Sequence, residues 1–110
     1  MTNKEMVNIF VRQGKGQTGQ GFSYEMHNDN KTILSYGNVI YSYGYHYPLG
    51  YIRLDSEILY INEIKSTRTT QKHKGLLKRA GESAGLAIKY FNANRGILTD
   101  NETGEVIAGL

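Results

Sequence analysis

A chain of 110 residues without cysteine predicts one domain, residues 1–110, able to bury a modest core with no disulfide, thiolate nucleophile or thiolate metal ligand. The formal charge of +3 hides an asymmetry, because Lys65, Arg68, Lys72, Lys74, Lys78 and Arg79 share one stretch without an acid. A slightly acidic body with one basic segment is not an acidic mimic of DNA, and it suits a phosphate-rich or acidic partner.

The opening apolar run is interrupted by Asn8 and is too short for a signal peptide or membrane span. That predicts a cytoplasmic protein with no membrane partner. Over residues 5–12, Val7, Ile9 and Val11 alternate, which reads as a strand, although Met6, Ile9 and Phe10 would also line a short helix. Gly14, Gly16 and Gly19 match G-x-G-x-x-G, but no helix is predicted at the end of that run, so it reads as a loop. Residues 22–27 and 32–36 read as strands around an Asn/Asp turn, with a second turn at Tyr36-Gly37-Asn38.

From Val39 to Tyr47 the period is two. Val39, Tyr41, Tyr43, Tyr45 and Tyr47 share one predicted face, and Ile40, Ser42, Gly44 and His46 the other. Such a row of rings either packs under a helix or stays open to stack on bases or anchor a protein. Pro48-Leu49-Gly50 reads as a strand break. Residues 51–54 and 58–64 then form a hairpin whose second strand is apolar on both faces, as a central strand should be.

Ser66, Thr67, Thr69 and Thr70 can each cap a helix, with Thr69 the preferred N-cap. His73, Leu77, Ala80, Ala84, Ala87, Ile88 and Phe91 make an apolar stripe at helical spacing, which predicts one long helix ending at Asn92–Gly96. Gly75, Gly81 and Gly85 each weaken a helix by roughly 1 kcal/mol relative to Ala. Gly81 and Gly85 lie one turn apart and suggest close approach, either of the protein's own sheet or of a second copy in a homodimer. Residues 97–99 and 105–108 form a last hairpin. The class is α+β: a single small antiparallel sheet of four to six strands against one long helix in the C-terminal half, with a terminal hairpin.

The three histidines, His27, His46 and His73, are not at metal-ligand spacing. No serine sits in a nucleophile elbow. No cofactor and no metal is therefore expected. Glu63-Ile64-Lys65 resembles the E-x-K of the PD-(D/E)xK nucleases. That resemblance implies a divalent ion held by carboxylates and a lysine assisting water, with Asp55 as the available upstream acid, here in a turn.

A second resemblance covers residues 32–78. Ser35-Tyr36, the strand that follows, and Ser66-Thr67-Arg68-Thr69-Thr70-Gln71-Lys72-His73 are similar to a small domain of phage and mobile-element proteins. In that domain an S-Y motif precedes a strand, a hairpin and a Y-S-x-T-T-x-K-H segment opening a helix; Lys65 stands here where Tyr is usual. The resemblance implies an accessory protein acting in the host cytoplasm on a host protein or nucleic acid, as an inhibitor of a defence or nucleic-acid enzyme. The basic strand-to-helix edge, Lys65, Arg68, Lys72, Lys74, Lys78 and Arg79, with Tyr43, Tyr45 and Tyr47, forms the expected binding surface. Sequence-independent nucleic-acid binding and a nuclease built on Glu63, Lys65 and Asp55 are the alternatives. Binding rather than catalysis is the leading expectation.

Overall fold

In the computed structural model, the described residues are 2–16, 25–28, 32–43, 47–53 and 56–110. They form two helices, α1 (Asn3–Gly16) and α2 (Arg68–Ser83), and one eight-stranded sheet. The strands are β1 (Glu25–His27), β2 (Ile33–Tyr36), β3 (Val39–Ser42), β4 (Tyr47–Arg53), β5 (Ile58–Asn62), β6 (Ala87–Asn94), β7 (Ile97–Asp100) and β8 (Val106–Gly109). Spatial order follows chain order. Neighbours are antiparallel except β5 and β6, which run parallel and are joined by α2. A parallel pair requires such a crossover, and a helix is its usual form. The class is α+β, as expected, but the sheet is larger than predicted and mixed in direction.

The first correction falls on residues 5–12, which are helical. Thr2 caps α1 through a reciprocal capping box: Glu5 N–H donates to Thr2 Oγ1 (3.1 Å), and Thr2 N–H donates to Glu5 Oε1 (3.0 Å). Met6, Val7, Phe10 and Val11 are buried, a helical stripe that the alternation of Val7, Ile9 and Val11 obscured. Gly14 and Gly16 belong to the end of this helix rather than to a loop. Gly19 and most of the glycine-rich run lie outside the described residues.

The second correction concerns α2. Its N-cap is Thr67, not Thr69, and the helix ends at Ser83 rather than near Phe91. Gly85, at φ +79°, closes it. Leu86 N–H donates to Gly81 O and Gly85 N–H to Glu82 O, which is the Schellman arrangement with an apolar residue after the glycine. Residues 87–94 then form β6. Ile88 faces the helices and Phe91 the other face, so their helical spacing was coincidental. The polar stop signal at Asn92–Gly96 is instead the end of β6 and a two-residue hairpin turn, with Arg95 at φ +52° and Gly96 at φ +79°.

The tyrosine row is also divided. β3 ends at Ser42, and Tyr43 has φ +58°. Tyr41 packs with Leu34, Val39 and Tyr51 on the face away from the helices. Tyr47 packs on the helix-side core. Gly44, Tyr45 and His46 lie outside the described residues. Pro48-Leu49-Gly50 does not break the chain's extension; it sits within β4, where the register to β3 shifts between Ile40 and Tyr41. An extra residue at a bulge accommodates a proline that cannot donate to a ladder.

The main core lies between the helices and the sheet and includes Phe10, Ile40, Leu49, Leu59 and Leu77. A second cluster, Tyr60, Phe91 and Leu98, occupies the opposite face. That face is curved. Residues of the β2–β3 turn and of the end of β8 line one cleft, although five sheet steps of about 4.8 Å would part β3 from β8 by roughly 24 Å in a flat sheet. Tyr60 O–H donates to buried Asp100 (3.0 Å). The backbone N–H of Glu102 is the main cause holding the Asp100 carboxyl below the usual range, and Thr103 N–H, Tyr60 and Lys89 outweigh burial with it. Burial, helped by the bond to Asp100, pushes the Tyr60 phenol up.

Candidate binding site

The strand-to-helix junction turns two chemistries in opposite directions. Inward, Thr67 Oγ1 accepts from Thr70 N–H (3.3 Å) and donates to Thr70 Oγ1 (3.1 Å). Thr70 Oγ1 meets Ser42 Oγ at 3.2 Å, and Ser42 Oγ lies 2.9 Å from His73 Nδ1. His73 Nε2 is 3.2 Å from the Asn3 amide nitrogen. Because that amide nitrogen can only donate, Nε2 accepts and Nδ1 carries the proton toward Ser42. Asn3 Oδ1 in turn accepts from Asn28 and Thr32. The string ties α2 to β3, to α1 and to the start of β2.

Ser42, Thr70 and His73 are buried. Burial lowers the His73 pKa, which agrees with a neutral ring that accepts on one nitrogen and donates from the other. A serine beside a histidine can form a nucleophilic pair, but Ser42 is 1% exposed and His73 2%, which leaves no room for a substrate between them. This pair fastens elements together. The exposed Tyr43 ring sits 5.7 Å from the His73 ring, beside the start of α2.

Outward, Arg68, Lys72 and Arg79 are exposed and follow helical spacing along the solvent side of α2, with Lys78 beside them and exposed Lys65 just before the helix. The first turn of α2 contains no acid. Among the described residues none of these five cations has an ion-pair partner; carboxylates pair there with Arg53 (to Glu105) and Lys89 (to Asp100).

Lys74 lies between the two sides. It is 9% exposed. Its ammonium donates to Ile64 O (2.8 Å) and sits 5.3 Å from the centre of the Tyr47 ring. Tyr47 O–H donates to the same carbonyl (2.6 Å). This clamp pins the chain as it leaves β5. Beside it opens a cavity of about 430 Å³, lined in part by Ile61, Glu63, Gln71, Lys74, Lys78 and Tyr90. Glu63 accepts a hydrogen bond from Asn101, which itself accepts from Asn92.

The structure thus leaves Lys65, Arg68, Lys72, Lys78 and Arg79 exposed, with Lys78 and Arg79 on different flanks of α2, and sets Lys74 in a cavity wall. Tyr43 joins the junction, while the Tyr47 hydroxyl is already engaged; Tyr45 and Asp55 lie outside the described residues. No group of three or more His, Asp or Glu side chains suited to a metal occurs among the described residues. Gly81 meets the sheet: a Cβ there would lie 2.5 Å from Leu59 Cδ2 and 3.0 Å from Ile88 Cδ1. Gly85 serves the helix stop. No helix among the described residues is long and apolar enough to cross a membrane.

The cavity, with Tyr90 and Glu63 in one wall, was not legible in the sequence. The apolar stripe through Phe91 carries Tyr90 on a helix, and only Gly85, as a C′ stop, signals that it lies on a strand. Comparison with protein-family models, curated proteins and solved structures finds no match.

Proposed function

We propose that the protein is a non-enzymatic binding module that docks an acidic macromolecular surface on the exposed side of α2. The observation that carries this reading is the set of five cations, Lys65, Arg68, Lys72, Lys78 and Arg79, without an ion-pair partner among the described residues. Clustered like charge that the fold does not neutralise raises the local concentration of anionic partners and speeds their capture. The resemblance of residues 32–78 to a phage and mobile-element domain supplies a setting: an accessory protein that covers an acidic surface of a host defence or nucleic-acid enzyme.

A nucleic-acid strand is the second reading. It is favoured by two partly exposed rings, Tyr43 beside His73 and Tyr90 in the cavity that Lys74 and Lys78 also line, since base–ring stacking tolerates any sequence.

Both readings are tested by capture from the host extract with and without nuclease treatment, followed by titration of the captured partner across a salt series. Binding that weakens with salt, and whose salt slope flattens in Arg68→Ala/Lys72→Ala/Arg79→Ala, supports the α2 face. Salt-insensitive binding, or binding untouched by the triple substitution, removes it. Magnesium-dependent nicking of DNA that Glu63→Ala abolishes would replace both readings with the nuclease one.

A further inference from the structure

The cavity between α2 and the ends of β5 and β6 has properties that the exposed cationic side does not require. It lies over Ile61 and Asn62 of β5 and Tyr90 of β6, near the end of the parallel pairing and beside the helix that connects the two strands. Its volume of about 430 Å³ falls in the range of small-molecule sites.

Its walls differ in chemistry. The helix wall carries Lys74 and Lys78, one turn apart, with Gln71 beside them. Lys74 is nine-tenths buried, yet among the described residues no carboxylate lies within ion-pair distance of it. The Ile64 carbonyl and the Tyr47 ring hold the ammonium on one side, and the carbonyl takes only one of its three donors, which leaves donors for an anion in the cavity. The sheet wall carries Ile61, the half-exposed ring of Tyr90 and Glu63. Asn101 holds one Glu63 oxygen, and Oε1 has no hydrogen-bond partner among the described residues.

Gly75 adds an independent observation. A glycine in a helix interior weakens the helix relative to alanine. For Gly81 the sheet supplies the reason, because a Cβ would collide with Leu59. At Gly75 a Cβ would meet nothing nearer than the Arg79 guanidinium at 3.8 Å. No neighbour in the fold demands glycine there, but Gly75 lines this cavity, and a larger side chain would take space from an occupant.

We infer that this cavity binds a phosphorylated compound bearing a planar ring and hydrogen-bond donors, the chemistry of a nucleoside monophosphate or of a phosphorylated strand end. The phosphate pairs with Lys74 and Lys78. The ring lies on Tyr90. A ribose hydroxyl or a base amino group donates to Glu63 Oε1. Simple phosphate gains only the lysines, and Glu63 disfavours an anion that reaches across the cavity. The inference stands apart from docking on the outer side of α2; Lys78 alone belongs to both.

The test is titration of the isotope-labelled protein with adenosine monophosphate, adenosine, inorganic phosphate, and a short oligonucleotide with and without a terminal phosphate. Adenosine monophosphate is expected to shift the amides around Glu63, Lys74 to Lys78 and Tyr90, and to bind at least about tenfold more tightly than phosphate or adenosine. A further gain with the phosphorylated oligonucleotide over its unphosphorylated form identifies a strand end as the source, and tighter binding of the free nucleotide identifies a small molecule. Gly75→Leu is expected to keep or raise the thermal midpoint while abolishing binding. Lys78→Ala and Tyr90→Ala each weaken it at least about fivefold, and Arg68→Ala/Lys72→Ala leaves it within about twofold. Equal binding of inorganic phosphate, shifts confined to the outer side of α2, or unchanged affinity in Gly75→Leu would overturn the inference.

Discussion

The two sides of α2 belong to one helix of 16 residues and obey different rules. The inner side, Thr70, His73, Leu77, Ala80 and Gly81, is buried. Every hydrogen-bonding group of His73 there has a partner, and Gly81 has room for nothing larger. The outer side, Arg68, Lys72, Lys78 and Arg79, is exposed and has no ion-pair partner among the described residues. A satisfied buried network resists change because deleting one member leaves another desolvated and unpaired. Exposed charges stay hydrated when altered, so they can be tuned toward a partner with little effect on the fold. A motif that reads as one segment, T-T-Q-K-H, is thus divided by helical geometry into a fastening and a surface.

The sharpest way to break this comparison is His73→Leu. It leaves Ser42 and Asn3 without a ring partner and is expected to cost about 2–3 kcal/mol, measured by chemical denaturation. A loss under about 0.5 kcal/mol, the range of a surface change, would remove the distinction between the sides. The same residue sets a pH dependence. His73 has its pKa lowered by burial from an ordinary value of 6.5, so the unfolded chain takes up the proton first. The His73 contribution is complete above about pH 6.5 and declines as pH falls from there toward the lower folded-state value. His73→Leu should flatten that part of the stability profile. It should leave the further acid loss, at and below the ordinary Asp100 value of 3.8, where protonation undoes a carboxyl held low in the folded protein.

Gly81→Val tests packing on the same side. Its added carbons meet Leu59 and Ile88, and a destabilisation of about 2 kcal/mol is expected in thermal or chemical unfolding. Thr67→Ala removes the cap of α2 and one hydroxyl of the polar string, with an expected cost of about 1 kcal/mol. Arg68→Ala/Lys72→Ala/Arg79→Ala should change stability by no more than about 0.5 kcal/mol per site. A cooperative loss of several kcal/mol in the triple variant would show that the outer side is structural after all.

Much of the fold was legible because local chemistry and tertiary structure agree. Ile58 to Asn62 is apolar on both faces and became a strand covered on both. The turns at Gly37 and between residues 100 and 106 fall where Gly, Asn and Asp predict them. Five cations of the basic segment reached the surface, where they stay hydrated, and only Lys74 is buried. The errors have equally local causes. In α1 the alternation of valines outweighed Thr2 and Glu5, whose capping box was present in the sequence and decides for helix. After Ser83, the spacing of Ala84, Ala87, Ile88 and Phe91 fits a helix as well as a strand, and Gly85 was weighed as a close-packing residue instead of as a stop.

By itself the sequence determined the class of fold, the central strand, the position of α2's start to within a few residues, and the concentration of positive charge before and along that helix. These follow from periodicity, capping chemistry and composition, which act over a few residues. Tertiary structure alone decided that His73 would be sealed in a polar string reaching Asn3, seventy residues away. It also placed Tyr90 and Glu63 opposite Lys74 across one cavity. The cavity depends on the parallel pairing of β5 with β6, and that pairing exists because the chain crosses over through α2 and returns, a contact set by packing rather than by local propensity.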